Sequence, residues 1–213
     1  MDICIDHATK YIRHALILND VTLNLNSGRI YGLQGPNGSG KTMLLRLIAG
    51  LIRPTDGFVS VDGRRLGKEI DFPPSMGLMI ENPAFLPNYT GLKNLELLAG
   101  IRQKVTRQVI RQAIADVGLN PDDKRKFRKY SLGMKKRLGI ASAIMEAPDL
   151  ILLDEPTNAL DDSGVLQICD LLIRERNRGA LVVVACHDTK ILDNIADEVY
   201  AVQAGSVEKR TSP

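Results

Sequence analysis

Short, continuous runs of apolar residues are the clearest feature of the hydrophobic pattern along this chain. Two of them, 150–153 and 181–185, are apolar throughout, which is typical of strands that are buried on both faces of a parallel sheet. Between these runs, apolar residues recur at helical spacing over 165–172 and predict an amphipathic helix. Further short strands are predicted at 30–33, just before a glycine-rich segment, and at 76–80.

The N-terminal part of the chain shows the alternation that is typical of half-buried strands. Apolar and polar residues alternate over 22–25 and over 58–61. The second segment is followed by Asp62-Gly63, a dipeptide that favours a two-residue hairpin turn. We therefore expect a patch of antiparallel sheet near the N-terminus.

The stretch 90–147 has helical patterns and no strand-like run. Apolar residues follow a helical period from Val105 to Val117, and Gly118 ends that helix. Another helix is predicted to begin at Ser131 and to end near Ala147. A stretch of this kind between strands indicates an all-helical insert in an α/β domain.

The glycine-rich segment after the strand at 30–33 carries a phosphate-binding motif. It fits the pattern G-x-x-x-x-G-K-[ST], with a strand before it and a helix after it, which is the context that the motif requires. Glycines let backbone N–H groups converge on phosphate oxygens, while the lysine reaches the β- and γ-phosphates of ATP and the hydroxyl binds Mg²⁺. The eight residues are Gly35, Pro36, Asn37, Gly38, Ser39, Gly40, Lys41 and Thr42.

Two adjacent carboxylates follow the buried strand at 150–153. Asp154 is placed to hold Mg²⁺ at the end of that strand. Glu155 is expected to point in a different direction, because side chains alternate along an extended chain. It can then polarise an attacking water as a general base. Together with the phosphate loop, this pair predicts an ATPase that uses Mg²⁺.

These elements predict an α/β fold, with a P-loop NTPase core, a mostly parallel sheet, an N-terminal antiparallel β patch and an inserted helical subdomain. We expect a single domain over 1–213, in which 1–87 and 148–213 form the core and 88–147 form the helical subdomain. The chain is long enough to bury such a core without disulfides. Its three cysteines are widely spaced and are expected to be reduced thiols.

The order of these motifs resembles the nucleotide-binding subunit of an ATP-binding cassette (ABC) transporter, and the resemblance covers nearly the whole chain. The segment 153–161, LDEPTNALD, is similar to the family's Walker B and D-loop block, and 130–137, YSLGMKKR, stands at the place of its signature motif. His187 matches the switch histidine, which contacts the γ-phosphate or the attacking water. Tyr11 matches the aromatic position that stacks on adenine.

The resemblance also implies that ATP lies between two subunits packed head to tail. Ser131, Gly133 and Met134 would then bind the ATP of a partner subunit, and Asp161 would link the two ATP sites. Simpler roles remain open at three of the matched positions. Ser131 can cap a helix, Asp161 can be a charge at a helix N-terminus, and Tyr11 can pack against the first strand.

Two departures from the family pattern bear on the subtype. Glu81 stands where the family normally has a glutamine in its Q-loop, and a glutamate there can still bind Mg²⁺ and water. The signature is also altered, since Leu132 replaces a glycine and Lys135 replaces a glutamine. Together they resemble a subgroup of exporters that handles lantibiotics, bacitracin and similar peptides. The alternative is that both differences arose by neutral sequence drift in a generic exporter.

The same resemblance implies partners and a location. The chain would power a separate integral membrane permease at the cytoplasmic face of the plasma membrane, and a second copy would join it when ATP binds. Its apolar runs are far shorter than the ~20 residues of a membrane-spanning helix, and its start lacks the pattern of a signal peptide. No nucleic-acid partner is expected, because the net charge is only +3 and the basic run 124–129 adjoins two aspartates.

Three other functions fit parts of the pattern. Glu155 and His187 disfavour a non-hydrolysing regulatory module that only clamps a protein partner. A single phosphate loop without heptad repeats disfavours a DNA- or ribosome-associated ABC protein. A small-molecule P-loop kinase has no need for the segment 131–134.

Overall fold

Ten strands and six α-helices are formed by residues 1–210, the part of the chain that the computed structural model describes. The strands are β1 (Asp2–Ile12), β2 (Ala15–Asn26), β3 (Ile30–Gln34), β4 (Asp56–Val61), β5 (Arg64–Arg65), β6 (Met76–Met79), β7 (Leu150–Asp154), β8 (Leu181–Cys186), β9 (Glu198–Gln203) and β10 (Ser206–Lys209). The helices are α1 (Lys41–Ile48), α2 (Gly91–Arg102), α3 (Arg107–Asp116), α4 (Leu132–Ile144), α5 (Asp162–Asn177) and α6 (Thr189–Ile195). Within these residues, no helix combines the length and the apolar character needed to cross a membrane.

A six-stranded sheet lies at the centre of the fold. Its strand order is β10-β9-β3-β8-β7-β6, and every neighbouring pair is parallel except β10 with β9. The strands β1, β2, β4 and β5 form a separate antiparallel sheet. The predicted α/β class is therefore confirmed, with its mostly parallel sheet, its N-terminal antiparallel patch and helices between β6 and β7.

Both faces of the central sheet are buried, as the continuous apolar runs predict. Along β7, Ile151 and Leu153 pack with helices on one side, while Leu150 and Leu152 pack with α1 and the antiparallel sheet on the other. All six residues of β8 are buried and alternate between the same two sides. A strand without a solvent-facing side has no place for the polar residues of a half-exposed strand.

The predicted hairpin at Asp62-Gly63 joins β4 to β5. Val61 pairs with Arg64 across the turn, and the two turn residues have φ angles of +48° and +77°. Two successive left-handed residues are what a type I′ turn requires. The sequence pattern predicts only 22–25 of the long antiparallel pair β1 and β2, because register shifts interrupt the alternation along β1.

The helices between β6 and β7 begin at capping residues. The predicted helix of 105–117 is α3, which begins after Thr106 because the Thr106 hydroxyl accepts a hydrogen bond from an N–H of its first turn. The helix α4 begins after Ser131 for the same reason, since Ser131 Oγ accepts from the Met134 N–H at 3.2 Å. From there α4 packs across β6 and α3.

A glycine allows β6 and α4 to approach closely. A Cβ atom built on Gly77 would lie 1.8 Å from the carbonyl oxygen of Ala143 in α4, which is far inside van der Waals contact. Gly100 in α2 provides a contrast, since within residues 1–210 no atom beyond its chain neighbours and the backbone of its own helix lies within 4 Å of its virtual Cβ. The packing of α4 on the sheet therefore depends on the missing side chain of Gly77.

We predict that Gly77→Ala destabilises the protein while Gly100→Ala does not. The new methyl group at Gly77 pushes β6 and α4 apart, which lowers the free energy of unfolding by about 1–3 kcal/mol. At Gly100 the methyl group enters open space on a helix and raises that free energy by up to about 1 kcal/mol. Urea unfolding followed by circular dichroism measures both variants, and equal stability of the two would contradict the packing.

Candidate active site

The residues predicted to act together meet at one edge of the central sheet. Because β3, β8 and β7 are parallel, their carboxyl ends lie side by side, and the last residue of β3 pairs with the last residue of β8. The glycine-rich loop leaves β3 at this edge, Glu155 follows β7 and His187 follows β8. Ligands of open α/β sheets bind in crevices at such carboxyl ends.

The loop between β3 and α1 turns tightly through glycines. Gly38 and Gly40 have φ angles of +81° and +116°, a region that favours glycine. Gly35 has no room for a side chain, because a Cβ atom there would lie 2.2 Å from the Val202 carbonyl oxygen. Since α1 begins at Lys41, the positive end of its dipole faces the same space as the loop.

The Lys41 side chain lies over the loop and is only 5% exposed. Its Nζ atom donates to the carbonyl oxygens of Gly35 at 2.6 Å and Pro36 at 3.0 Å. The same Nζ lies 3.9 Å from Glu155 Oε1. The charge of Lys41 is thus held between the loop and the carboxylate that follows β7.

Thr42 and Asp154, two of the predicted metal ligands, are in direct contact. Thr42 Oγ1 donates a hydrogen bond to Asp154 Oδ2 at 2.7 Å, and Asp154 is buried. Mg²⁺ is commonly held by one or two such protein oxygens together with the phosphates of its substrate. The pair beside the phosphate loop fits this requirement.

Glu155 and His187 form the second contact of the site. His187 Nδ1 and Glu155 Oε2 are 2.9 Å apart and share a hydrogen bond. The two adjacent carboxylates have different partners, but alternation along an extended chain is the wrong reason. The strand β7 ends at Asp154, and Glu155 has a φ of +49°, so a left-handed backbone turns its side chain aside.

A cavity of about 280 Å³ lies beside these groups, and His187 is not among the residues that line it. It is lined by the phosphate loop, by Thr42, Asp154 and Glu155, and by Ile17 of β2. Two buried polar atoms of this region, Ser39 Oγ and Glu155 Oε1, have no hydrogen-bond partner among residues 1–210. A buried polar atom without a partner is costly. The Ser39 hydroxyl can donate to a phosphate oxygen, and Glu155 Oε1 can accept from a water molecule beside the phosphates. The residues present therefore fit MgATP.

Tyr11, predicted to stack on adenine, is not among the residues that line the cavity. It lies at the end of β1, is 46% exposed and pairs with Leu16 across the hairpin. Ile17, the next residue along β2, lines the cavity instead. The sequence reasoning missed Ile17, although it belongs to the same hairpin.

Glu81, the third predicted metal ligand, is not brought to Thr42 and Asp154. It lies two residues after β6, has a φ of +64° and pairs with Arg46 Nη2 at 2.6 Å. Arg46 is on α1, one helical turn after Thr42. The Glu81 carboxylate is thus paired with α1 and is not among the groups that line the cavity of the phosphate loop.

The signature segment lies outside the cavity, at the start of α4. Ser131 is exposed there and caps the helix. Gly133 approaches the segment after β7 so closely that a Cβ atom would lie 2.6 Å from the Ala159 carbonyl oxygen. Met134 is half-buried and packs against the core.

Asp161 is hydrogen-bonded to α4, the helix that begins at the signature segment. Its Oδ1 accepts a hydrogen bond from Arg137 Nη2 at 3.1 Å, while its Oδ2 accepts from the Ser163 hydroxyl. The Ser163 hydrogen bond, helped by the charge of Arg137, lowers the pKa of the Asp161 carboxyl group. The side chain is 71% exposed, so an ionised carboxylate is presented beside the start of α4.

Lys136 is a buried residue that the motif analysis missed. It is 6% exposed, and its Nζ donates to the carbonyl oxygens of Glu81 at 3.4 Å and Asp154 at 3.5 Å. Burial lowers the pKa of its ammonium group, and the carboxylates of Asp154 and Glu155 oppose that shift. A sequence signal was present, since Lys136 lies one turn before the buried Ile140 on the inner face of α4.

A family model described as ABC transporter matches residues 18–158. The matched span includes the phosphate loop, the signature segment and both carboxylates after β7. The chain belongs to the ABC transporter family. As the nucleotide-binding subunit of such a transporter, it is an ATPase that binds ATP with Mg²⁺ and powers a separate membrane permease. The family and the activity expected from the sequence are confirmed.

Curated relatives extend over most of the chain. YybJ of Bacillus subtilis (strain 168), an uncharacterized ABC transporter ATP-binding protein, is 44% identical over 94% of this chain and 92% of YybJ. The bacitracin transport ATP-binding protein BcrA of Enterococcus faecalis is 37% identical over 94% of this chain and 66% of BcrA. The lantibiotic transport ATP-binding protein SrtF of Streptococcus pyogenes is 32% identical over 90% of this chain and 82% of SrtF.

A solved structure has the same fold. The dimeric, post-hydrolysis form of the ATP-binding cassette MJ0796, bound to ADP and Pi, matches with a TM-score of 0.86 and 25% identity. The match covers 99% of this chain and 100% of the cassette. The P-loop core that the sequence predicts is confirmed by this likeness.

Proposed function

We propose that Glu155 is the general base of ATP hydrolysis in this subunit. The observation that carries the proposal is its position, with one carboxylate oxygen 2.9 Å from His187 Nδ1 and the other 3.9 Å from Lys41 Nζ, beside the phosphate loop. A carboxylate at this place can accept a proton from the water that attacks the γ-phosphorus. His187, which shares a hydrogen bond with this carboxylate, would hold it in place.

The remaining residues of the cavity position the substrate and neutralise its charge. Lys41, the loop N–H groups and the start of α1 supply positive charge to the β- and γ-phosphates. Thr42 and Asp154 would hold Mg²⁺, which neutralises charge on the same phosphates when it is bound with ATP. Glu81 stays a predicted ligand, since it would have to leave Arg46 to join them.

A second copy of this chain completes each site in our proposal. Ser131 and Gly133 do not line the cavity that contains Lys41, yet Ser131 is exposed at the N-terminus of α4, where hydroxyl and N–H groups can bind phosphate. A head-to-tail homodimer would place this end of α4 against the partner's phosphate loop. The dimeric form of MJ0796 supports such an arrangement.

The permease is proposed to dock in a groove next to Glu81. We assign 1–87 and the residues from 148 onward to the ATP-binding core, and 88–147 to a helical subdomain. A groove of about 580 Å³ lies where the two meet, with Arg46 and Glu81 on its rim and several apolar side chains, including exposed Leu51 and Leu98. Exposed apolar surface of this kind is typical of a docking site. A permease helix bound there would hold the subunit at the cytoplasmic face of the membrane.

The cargo is proposed to be an antimicrobial peptide that is exported from the cell. Two relatives are described as bacitracin and lantibiotic transport proteins. This chain has Glu81 and the altered signature segment SLGMK at 131–135, the two departures that resemble that subgroup. Because Glu81 lies on the rim of the proposed docking groove, its carboxylate is placed to influence coupling rather than the choice of nucleotide.

We predict that Glu155→Gln binds ATP as the native chain does but has almost no ATPase activity. The amide keeps the shape of the carboxylate but cannot accept the proton of water, while Lys41 and the loop still hold the nucleotide. Equilibrium binding of a fluorescent ATP analogue and steady-state phosphate release measure the two properties.

Lys41→Ala should instead weaken ATP binding in the same binding measurement, because it removes the cation that faces the phosphates.

Glu208→Gln serves as the matched control for Glu155→Gln. It makes the same chemical change at an exposed carboxylate on β10, so binding and hydrolysis should both be unchanged. Hydrolysis by Glu155→Gln at the native rate would exclude Glu155 as the base.

Cells that express this chain with its permease are predicted to survive bacitracin or a lantibiotic at concentrations that kill cells with the empty vector. Export lowers the peptide concentration at its target, whereas tolerance of a small non-peptide antibiotic should not change. The permease with Glu155→Gln should give no protection, because transport lacks its energy source. If the native pair protects against no cationic or cyclic peptide, the peptide-exporter assignment is wrong and the transporter assignment remains.

A further inference from the structure

Lys136 is a buried cation that has no role in the proposed mechanism of ATP hydrolysis. Among the lysines of residues 1–210, only Lys41 and Lys136 are buried, and Lys41 belongs to the phosphate loop. Burying an ammonium group is costly unless it is well paired. The hydrogen bonds of Lys136 go to two backbone carbonyl oxygens, those of Glu81 and Asp154.

The Asp154 carbonyl belongs to the peptide unit that precedes Glu155. The N–H of the same peptide unit donates to the Ala185 carbonyl oxygen of β8 at 2.8 Å. This peptide is therefore held at both ends, by β8 through its N–H and by Lys136 through its carbonyl oxygen at 3.5 Å. Its orientation decides where the Glu155 side chain points.

The backbone at Glu155 needs such support. Its φ of +49° is a left-handed conformation, which costs a residue with a side chain free energy and persists only where its surroundings enforce it. Glu81, whose carbonyl oxygen is the other acceptor of Lys136, also has a positive φ, +64°. One ammonium group thus binds at two turns with left-handed residues, one after β6 and one after β7.

Lys136 also connects the two regions of the chain that contact different ATP molecules in the proposed dimer, namely α4 and the peptide before Glu155. It lies in the second turn of α4, the helix that begins at the signature residue Ser131. A movement of α4 when Ser131 binds the ATP of the partner would be transmitted through Lys136 to the peptide before Glu155. A cation also suits this place electrostatically, because the carboxylates of Asp154 and Glu155 are nearby.

We propose that Lys136 is a positioning residue that fixes the Asp154–Glu155 peptide and thereby aims the Glu155 carboxylate at the attacking water. The inference rests on the proposed role of Glu155 as the base. Lys136 itself touches neither substrate nor water in this proposal. Its loss should therefore slow the chemical step and leave ATP binding intact.

The test compares Lys136→Met, which keeps the apolar stem but removes the donors, with Lys136→Gln, which restores an amide donor without the charge. For Lys136→Met we expect kcat to fall on the order of tenfold or more, as for a misplaced catalytic group, with the dissociation constant for ATP unchanged. Lys136→Gln should recover a measurable part of kcat. Lys93→Met is the control, since Lys93 is an exposed lysine of α2, and it should leave both quantities unchanged.

A second readout does not depend on activity. In the nucleotide-free protein, the Glu155 amide should exchange its hydrogen with solvent faster in Lys136→Met than in the native chain, because its peptide is held at one end only. Amide exchange followed by mass spectrometry or nuclear magnetic resonance measures this change. The amide of Val183 in the middle of β8, with its ladder hydrogen bonds intact, is the internal reference.

Four results would overturn the inference: a native kcat in Lys136→Met, a parallel loss of kcat and ATP affinity, unchanged exchange at Glu155, or no recovery of kcat in Lys136→Gln. Glu155→Gln is measured beside these variants, so that the two proposals can be separated. If Glu155→Gln hydrolyses ATP normally, the base assignment fails; if it is inactive while Lys136→Met is normal, only the role of Lys136 fails.

Discussion

Because β3, β8 and β7 pair in parallel, three segments that are distant in sequence meet at one edge of the central sheet. Parallel strands cannot be joined by short turns, so each connection must leave the sheet and return. The chain uses these long connections for its helices, and the phosphate loop, the two carboxylates and His187 are left together at the carboxyl ends. A change of register in this sheet would separate all of them at once.

The site also depends on opposite charges that lie close together where solvent has little access. Lys41 lies between loop carbonyls and Glu155, Asp154 accepts a hydrogen bond from Thr42, and Lys136 supports the backbone behind them. Each of these charged side chains has a partner in the chain itself; of the two remaining polar atoms, the Ser39 hydroxyl suits a phosphate oxygen and Glu155 Oε1 suits a water molecule. The site is thus largely preformed, which favours positioning over large rearrangement as the source of catalysis.

The sequence predicts the parts of the site that depend on local patterns. The phosphate loop is recognisable because glycines, lysine and threonine must stand at fixed spacing, and β7 and β8 because burial on both faces leaves unbroken apolar runs. The sequence does not predict the tertiary contacts of long side chains. The pairing of Glu81 with Arg46 and the burial of Lys136 depend on how α1 and α4 pack against β6 and β7. The sequence also gives no signal of the left-handed backbone at Glu155, because a glutamate does not require that conformation.

The division of each ATP site between two copies of the chain is the central claim about mechanism. It is tested most directly by measuring ATPase activity per milligram of protein over a range of protein concentrations, with light scattering to report the oligomeric state. If each site needs Ser131 and Gly133 of a partner, activity per milligram should rise with concentration and level off as ATP-bound dimers form. Constant activity per milligram at concentrations where the protein remains a monomer would contradict the composite site.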